Sequence, residues 1–75
     1  MTHINARYLA DIMDISAEEL LALSFYDALL DLHCNYHERK LSDTEYAAAM
    51  DSIIVANPGY AENLTHLKVR LLAHI

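Results

Sequence analysis

Glycine, proline and cysteine each occur once in the 75 residues of this chain, and tryptophan does not occur. A single glycine, Gly59, cannot build the glycine-rich loops that bind dinucleotides or nucleoside triphosphates, because several residues of such loops need a positive φ. The single cysteine, Cys34, allows no disulfide within the chain, so a disulfide-stapled secreted scaffold is excluded. Its thiol favours a reducing compartment.

Long apolar runs are also missing. The longest run without a charged residue, Ser52 to Ala61, is interrupted by Pro58-Gly59 and falls short of the roughly 20 apolar residues that span a bilayer. Residues 1–10 contain Arg7 and lack the apolar centre of a signal peptide. We therefore expect a cytoplasmic protein with no membrane partner.

Basic residues are scarce, with 5 Lys and Arg against 11 Asp and Glu and a net charge of −6. Ten of the acids lie between residues 11 and 51, where only Arg39 and Lys40 oppose them. Such a chain repels phosphate backbones, so direct nucleic-acid binding is not expected, and a protein with a basic surface is the favoured partner.

Apolar residues, by contrast, make up 55% of the chain, above the usual ~45–50%. A lone chain of this size buries only roughly 60% of the surface that its unfolded state exposes. The surplus therefore indicates either an unusually dense core or an apolar surface that a partner covers.

The periodicity of apolar residues predicts a single all-α domain over residues 1–75, a compact bundle of four helices. Ser16 with Glu19, and Ser42 with Glu45, have capping-box spacing ahead of apolar runs. Thr2 is a candidate N-cap for the first helix, and Asn57-Pro58-Gly59 ends the third. The predicted helices cover about 4–13, 17–39, 43–56 and 58–73.

A helical wheel of the predicted second helix, over 17–39, separates several faces. One face is predicted to enter the core, and it carries Leu21, Phe25, Ala28, Leu29, Leu32 and Tyr36. A second apolar strip, with Leu23, Leu30 and Cys34, has two explanations. Either this helix is the hub of the bundle, or the strip joins Val69 and Leu72 of the fourth helix in a homodimer interface.

The strip between these two faces is rich in carboxylates. Asp27, Asp31 and Glu38 recur there, and Tyr26 lies on the neighbouring strip. Tyrosine is enriched at protein interfaces, and carboxylates attract basic surfaces. These four residues are the predicted partner-binding set.

His33 and His37 are the only two histidines four residues apart, a spacing that puts both rings on one face of a helix. His3, His66, His74 or a second chain would have to complete a zinc site. We predict no metal and no cofactor, and keep a small metal- or ligand-binding helical protein that uses His33 and His37 as the alternative function.

Catalytic signatures are absent from the sequence. No strained nucleophile turn surrounds Ser24 or Ser52, and the chain has no His-Glu-x-x-His pattern. The sequence therefore predicts a non-enzymatic, protein-binding module. Its expected role is to modulate or inhibit a partner, including one that binds nucleic acid, as small inhibitors from phages and mobile elements do.

Overall fold

The computed structural model describes residues 4–73, which form five α-helices and one 3-10 turn. The all-α class is confirmed, and no strand occurs within those residues. In chain order the elements are α1 (Ala6–Met13), α2 (Ala17–Leu21), α3 (Tyr26–His37), α4 (Asp43–Ala56), the 3-10 turn (Pro58–Tyr60) and α5 (Ala61–Leu72).

Side-chain caps fix three of the helix starts. The Oδ1 atom of Asn5 accepts the backbone N–H of Tyr8 at 3.0 Å, so α1 begins at Ala6 and not at the predicted residue 4. Thr2, the predicted cap, lies outside the described residues. The Ser16 hydroxyl caps α2 as expected, with the N–H of Glu19 at 3.0 Å.

The capping box predicted for α4 is complete. Ser42 Oγ accepts the backbone N–H of Glu45 at 3.1 Å, and the Glu45 carboxylate accepts the N–H of Ser42 at 2.9 Å. Both bonds satisfy backbone donors that the first turn of a helix leaves without partners. The observed range, Asp43–Ala56, is the predicted one.

The predicted helix over 17–39 is wrong in one respect, since it divides at residues 22–25 into α2 and α3. Leu20 and Leu29 explain the division, because both are fully buried. Nine residues along a straight helix correspond to about two and a half turns, which would place these leucines on opposite sides. The break brings both into one core.

The break also changes the wheel. Leu21, predicted for the core, is 55% exposed, and Ala28 is exposed as well. Leu29 and Leu32 are buried as predicted. Phe25 lies within the break and meets the ring of Tyr60 edge to face, with 5.8 Å between centroids.

The centre of the molecule is α5, which packs against both α1 and α4. The hub predicted for the second helix is therefore not formed, because its two halves separate: α2 packs on α1, and α3 packs on α4. The buried apolar side chains form one cluster of Leu9, Ala10, Met13, Leu20, Leu29, Leu32, Tyr46, Met50, Leu64 and Leu67.

The start of α5 is held by polar contacts over long sequence distances. The predicted fourth helix begins as the 3-10 turn, and the α-helix itself begins at Ala61. Tyr60 donates its hydroxyl to Glu19 at 2.8 Å, and the Asn63 amide donates to the carbonyl of Met13 at 2.7 Å. These bonds join α5 to α2 and to the end of α1. No helix within residues 4–73 has both the length and the apolar character needed to cross a membrane.

Candidate functional site

A buried histidine joins α3 to α4. His33 is 1% exposed, and its ring lies 2.7 Å from the carbonyl oxygen of Leu29 through Nδ1 and 2.8 Å from the Tyr46 hydroxyl through Nε2. A carbonyl oxygen only accepts, so Nδ1 carries the proton, and Nε2 of the neutral ring accepts from Tyr46. Burial lowers the pKa of His33 below its ordinary value of 6.5, against a smaller opposite effect of the Leu29 bond.

From Tyr46, an aromatic stack and a hydrogen bond lead to the surface. The rings of Tyr46 and Tyr36 stack with 4.2 Å between centroids and 10° between planes. The Tyr36 hydroxyl donates to the Asp43 carboxylate at 2.6 Å. Burial, and to a smaller extent the bond and charge of Asp43, raise the pKa of Tyr36 to about 12. One chain of contacts therefore runs from a buried imidazole to an exposed carboxylate.

A groove of about 630 Å³ lies where this chain of contacts reaches the surface. Its apolar and aromatic lining comes from α1, α3, α5 and the segments beside them, and its charged lining comes from Arg39 and Asp43. The lining residues are Ile4, Tyr8, Tyr36, His37, Arg39, Leu41, Asp43 and Leu71. We call it the tyrosine groove.

Arg39 in this groove has an unusual backbone, with φ of 63°. It follows the end of α3, where its N–H donates to the carbonyl of Tyr36 and the N–H of Lys40 donates to that of Asn35. This paired arrangement favours glycine, because a side chain in the left-handed region costs about 1–2 kcal/mol. The sequence places an arginine there at that cost.

The predicted metal candidates are not brought together as ligands. Both ring nitrogens of His33 already have partners, whereas His37 is exposed and lines the tyrosine groove. Within residues 4–73, no group of three or more His, Cys, Asp or Glu side chains could hold a metal ion. His3 and His74 lie outside the described residues. The geometry thus gives no support to a zinc site on this pair.

The predicted partner-binding acids lie on the surface. Asp27, Asp31 and Glu38 are exposed along α3 and its C-terminal end, and Tyr26 is half-buried. Glu38 pairs with Lys40 at 3.0 Å, and Asp31 accepts from the Asn35 amide at 3.5 Å. Asp27 has neither an ion pair nor a side-chain hydrogen bond within residues 4–73.

The predicted dimer residues divide into two groups. Leu23, Leu30 and Leu72 are half-buried and pack against the core cluster, and Cys34 is half-buried. Val69, in contrast, is 59% exposed on α5. The leucines of the predicted dimer set therefore pack on the core, and Val69 is the exposed member of the set.

A second groove, of about 550 Å³, lies between the end of α1 and the start of α5. Asp11, Asp14 and Glu62 line it together with His66. Asp14 has φ of 62°, the other left-handed residue besides Arg39 within 4–73.

Sequence reasoning missed the tyrosine groove and the buried bond between His33 and Tyr46. In the sequence, Arg39 counts only as one of two bases among the acids of residues 11–51, and Tyr46 carries no prediction of its own. The left-handed position at a helix C-terminus is usually glycine, so the arginine there gives no sequence signal of the turn. Comparison of the chain with models of known families, with curated proteins and with solved structures finds no match.

Proposed function

We propose that this protein is a protein-binding module whose exposed carboxylates bind the basic surface of a partner and so modulate that partner. One observation supports this most: all eleven acidic side chains are exposed. Only two ion pairs neutralise them within residues 4–73, Lys40 with Glu38 and Lys68 with Asp51. Most of the negative charge is therefore available to a partner.

The α3 surface with Asp27, Asp31 and Glu38 is the proposed contact. Its acids follow one another along the helix, and Tyr26 beside them adds an aromatic edge. Charged surfaces of this kind accelerate encounter with an oppositely charged protein and select against other partners. A partner with a basic nucleic-acid-binding surface would lose access to its nucleic acid while bound, which is the proposed route to inhibition.

Charge reversal on α3 tests the acidic contact. Asp27→Lys/Asp31→Lys should bind partners captured from the native host about tenfold more weakly at ~0.1 M salt, and the difference should shrink as salt increases. Each captured protein is purified and its affinity for both forms is measured by calorimetry. Circular dichroism checks folding, because Asp27 in the first turn of α3 also favours the helix.

Asp11→Lys/Glu62→Lys is the matched control. It changes the net charge equally, and Glu62 occupies the first turn of α5 as Asp27 does that of α3. The control should keep most of the affinity. Equal binding by the α3 variant and the natural protein would overturn the proposal, and equal loss in both variants would reduce it to an effect of net charge.

The homodimer is the second part of the proposal. Val69 on α5 is 59% exposed, and Leu23, Leu30 and Leu72 are half-buried. A two-fold interface over these residues would bury apolar surface that one small domain leaves in water. Cys34 would lie within it on α3.

Light scattering tests the dimer. We expect twice the chain mass of 8.5 kDa at tens of micromolar, and a single chain mass after Val69→Lys. Val55→Lys is the control, since Val55 is 80% exposed on α4 and outside the proposed interface. A mass of 8.5 kDa for the natural protein would show that the apolar strip is internal.

A further inference from the structure

We propose that the tyrosine groove binds a small carboxylic acid with an apolar body, and that the guanidinium of Arg39 holds its carboxylate. The proposal is independent of the acidic contact on α3, because it concerns a different surface and a ligand of opposite charge. The alternative function suggested by His33 and His37 is a metal- or ligand-binding protein, and this proposal keeps its ligand-binding part. Of that pair, only His37 lines the groove.

The walls of the groove suit an apolar body. Ile4, Leu41 and Leu71 contribute aliphatic side chains, and Tyr8 and Tyr36 contribute aromatic rings. The volume of about 630 Å³ lies within the range of about 300–1,000 Å³ that small-molecule sites occupy. Small-molecule sites usually combine such walls with a few polar groups that orient the ligand.

The groove holds one guanidinium and one carboxylate, and only the carboxylate has a side-chain partner within residues 4–73. The Arg39 side chain forms no ion pair or hydrogen bond within residues 4–73. Asp43 lines the same groove, but its carboxylate accepts the Tyr36 hydroxyl at 2.6 Å and does not pair with Arg39. Within the part of the chain that the structure describes, the Arg39 guanidinium is therefore the charged group of the lining that is open to an anion.

Other donors in the lining add to this preference. The Tyr8 hydroxyl has no hydrogen-bond partner within residues 4–73, and the exposed His37 ring lies in the same lining. A carboxylate accepts two parallel bonds from one guanidinium. A lysine in place of the arginine, or an amide in place of the carboxylate, does not form this pair. The chemistry thus selects a carboxylate over a neutral amide of the same shape.

The backbone at Arg39 makes the test clean. Because its φ is 63°, glycine at this position removes the guanidinium and relieves the left-handed strain at once. Arg39→Gly should therefore keep or raise the melting temperature. A loss of binding in this variant cannot then be attributed to unfolding.

Titration with octanoate, followed by two-dimensional amide NMR and calorimetry, is the experiment. We expect saturable binding with the largest shifts at Tyr8, Leu41 and Leu71, and octanamide should bind about tenfold more weakly or worse. Arg39→Gly should weaken octanoate by about the same factor and leave octanamide unchanged. Arg70→Ala, which removes an exposed cation outside the lining, should leave both affinities unchanged.

Several outcomes would overturn the proposal. One is a response to octanoate that does not saturate, and another is equal affinity for octanoate and octanamide. Octanoate binding that survives Arg39→Gly would remove the role of the guanidinium. Saturable binding of a short peptide acid ending in leucine, with none of octanoate, would replace the small acid by a peptide C-terminus.

Discussion

Leu64→Ala should lower the free energy of unfolding by about 2–5 kcal/mol. Leu64 is fully buried on α5, the helix that packs against both α1 and α4. Truncation there leaves a cavity between three helices, and the loss comprises the transfer free energy of the removed atoms and the cost of the cavity. Small domains are stable by only about 0.05–0.15 kcal/mol per residue, so this one change removes a large share of the total.

Urea unfolding followed by far-ultraviolet circular dichroism measures the effect, and Val55→Ala is its control. Val55 lies on α4, is 80% exposed and stands outside the proposed dimer interface, so its truncation should change the free energy of unfolding by no more than about 0.5 kcal/mol. A midpoint for Leu64→Ala as high as that of the control would show that α5 is not packed as described.

Acid should destabilise the fold by protonating His33. The neutral ring is the folded form, because Nδ1 donates to the Leu29 carbonyl and Nε2 accepts from the Tyr46 hydroxyl. Burial holds the pKa of His33 below 6.5, so the unfolded chain takes up the proton first. The stabilisation is complete above about pH 6.5 and decreases by up to about 1.4 kcal/mol per pH unit until the folded-state pKa is passed.

His33→Leu/Tyr46→Phe isolates this effect. Removing both partners leaves no buried polar group without a bond, so the double variant should stay close to the natural stability at pH 7.5, about one unit above the ordinary histidine value. Between pH 6.5 and 5, the stability of the double variant should change far less than that of the natural protein. Tyr46→Phe alone leaves Nε2 without a donor and should cost about 1–3 kcal/mol.

Urea midpoints of the natural protein and both variants across this pH range provide the measurement. The bonds from Ser42 lower the pKa of Glu45, so the loss of this cap falls at more acidic pH and is common to all three proteins. The exposed residues His37 and His66 are present in all three proteins. Parallel curves for the natural protein and the double variant would contradict the role of His33.

Local signals in the sequence predicted much of the secondary structure. The capping residues Ser16 and Ser42 act within three residues of their partners, so their spacing in the chain specifies the contact. The bounds of α4 followed from Ser42 at one end and Asn57-Pro58 at the other. The break at 22–25 carries no glycine or proline, and it follows from tertiary packing of Leu20 and Leu29, which periodicity does not reveal.

The functional surfaces were predictable only where exposure follows from charge. The carboxylates Asp27, Asp31 and Glu38 are on the surface because a buried acid would need a partner that this sequence rarely supplies. The position of His33 depends on Tyr46, thirteen residues away on another helix. The tyrosine groove likewise needs residues from both ends of the described chain, between Ile4 and Leu71.

The central place of α5 has a consequence for the order in which the molecule assembles during synthesis. α5 is the last of the described helices to be made, and the bond from Asn63 to Met13 closes a loop of 50 residues. Until α5 emerges, α1 and α4 have only α2 and α3 to cover their apolar faces. The nascent chain therefore carries two helix pairs whose apolar faces are still exposed, and α5 joins them in one core.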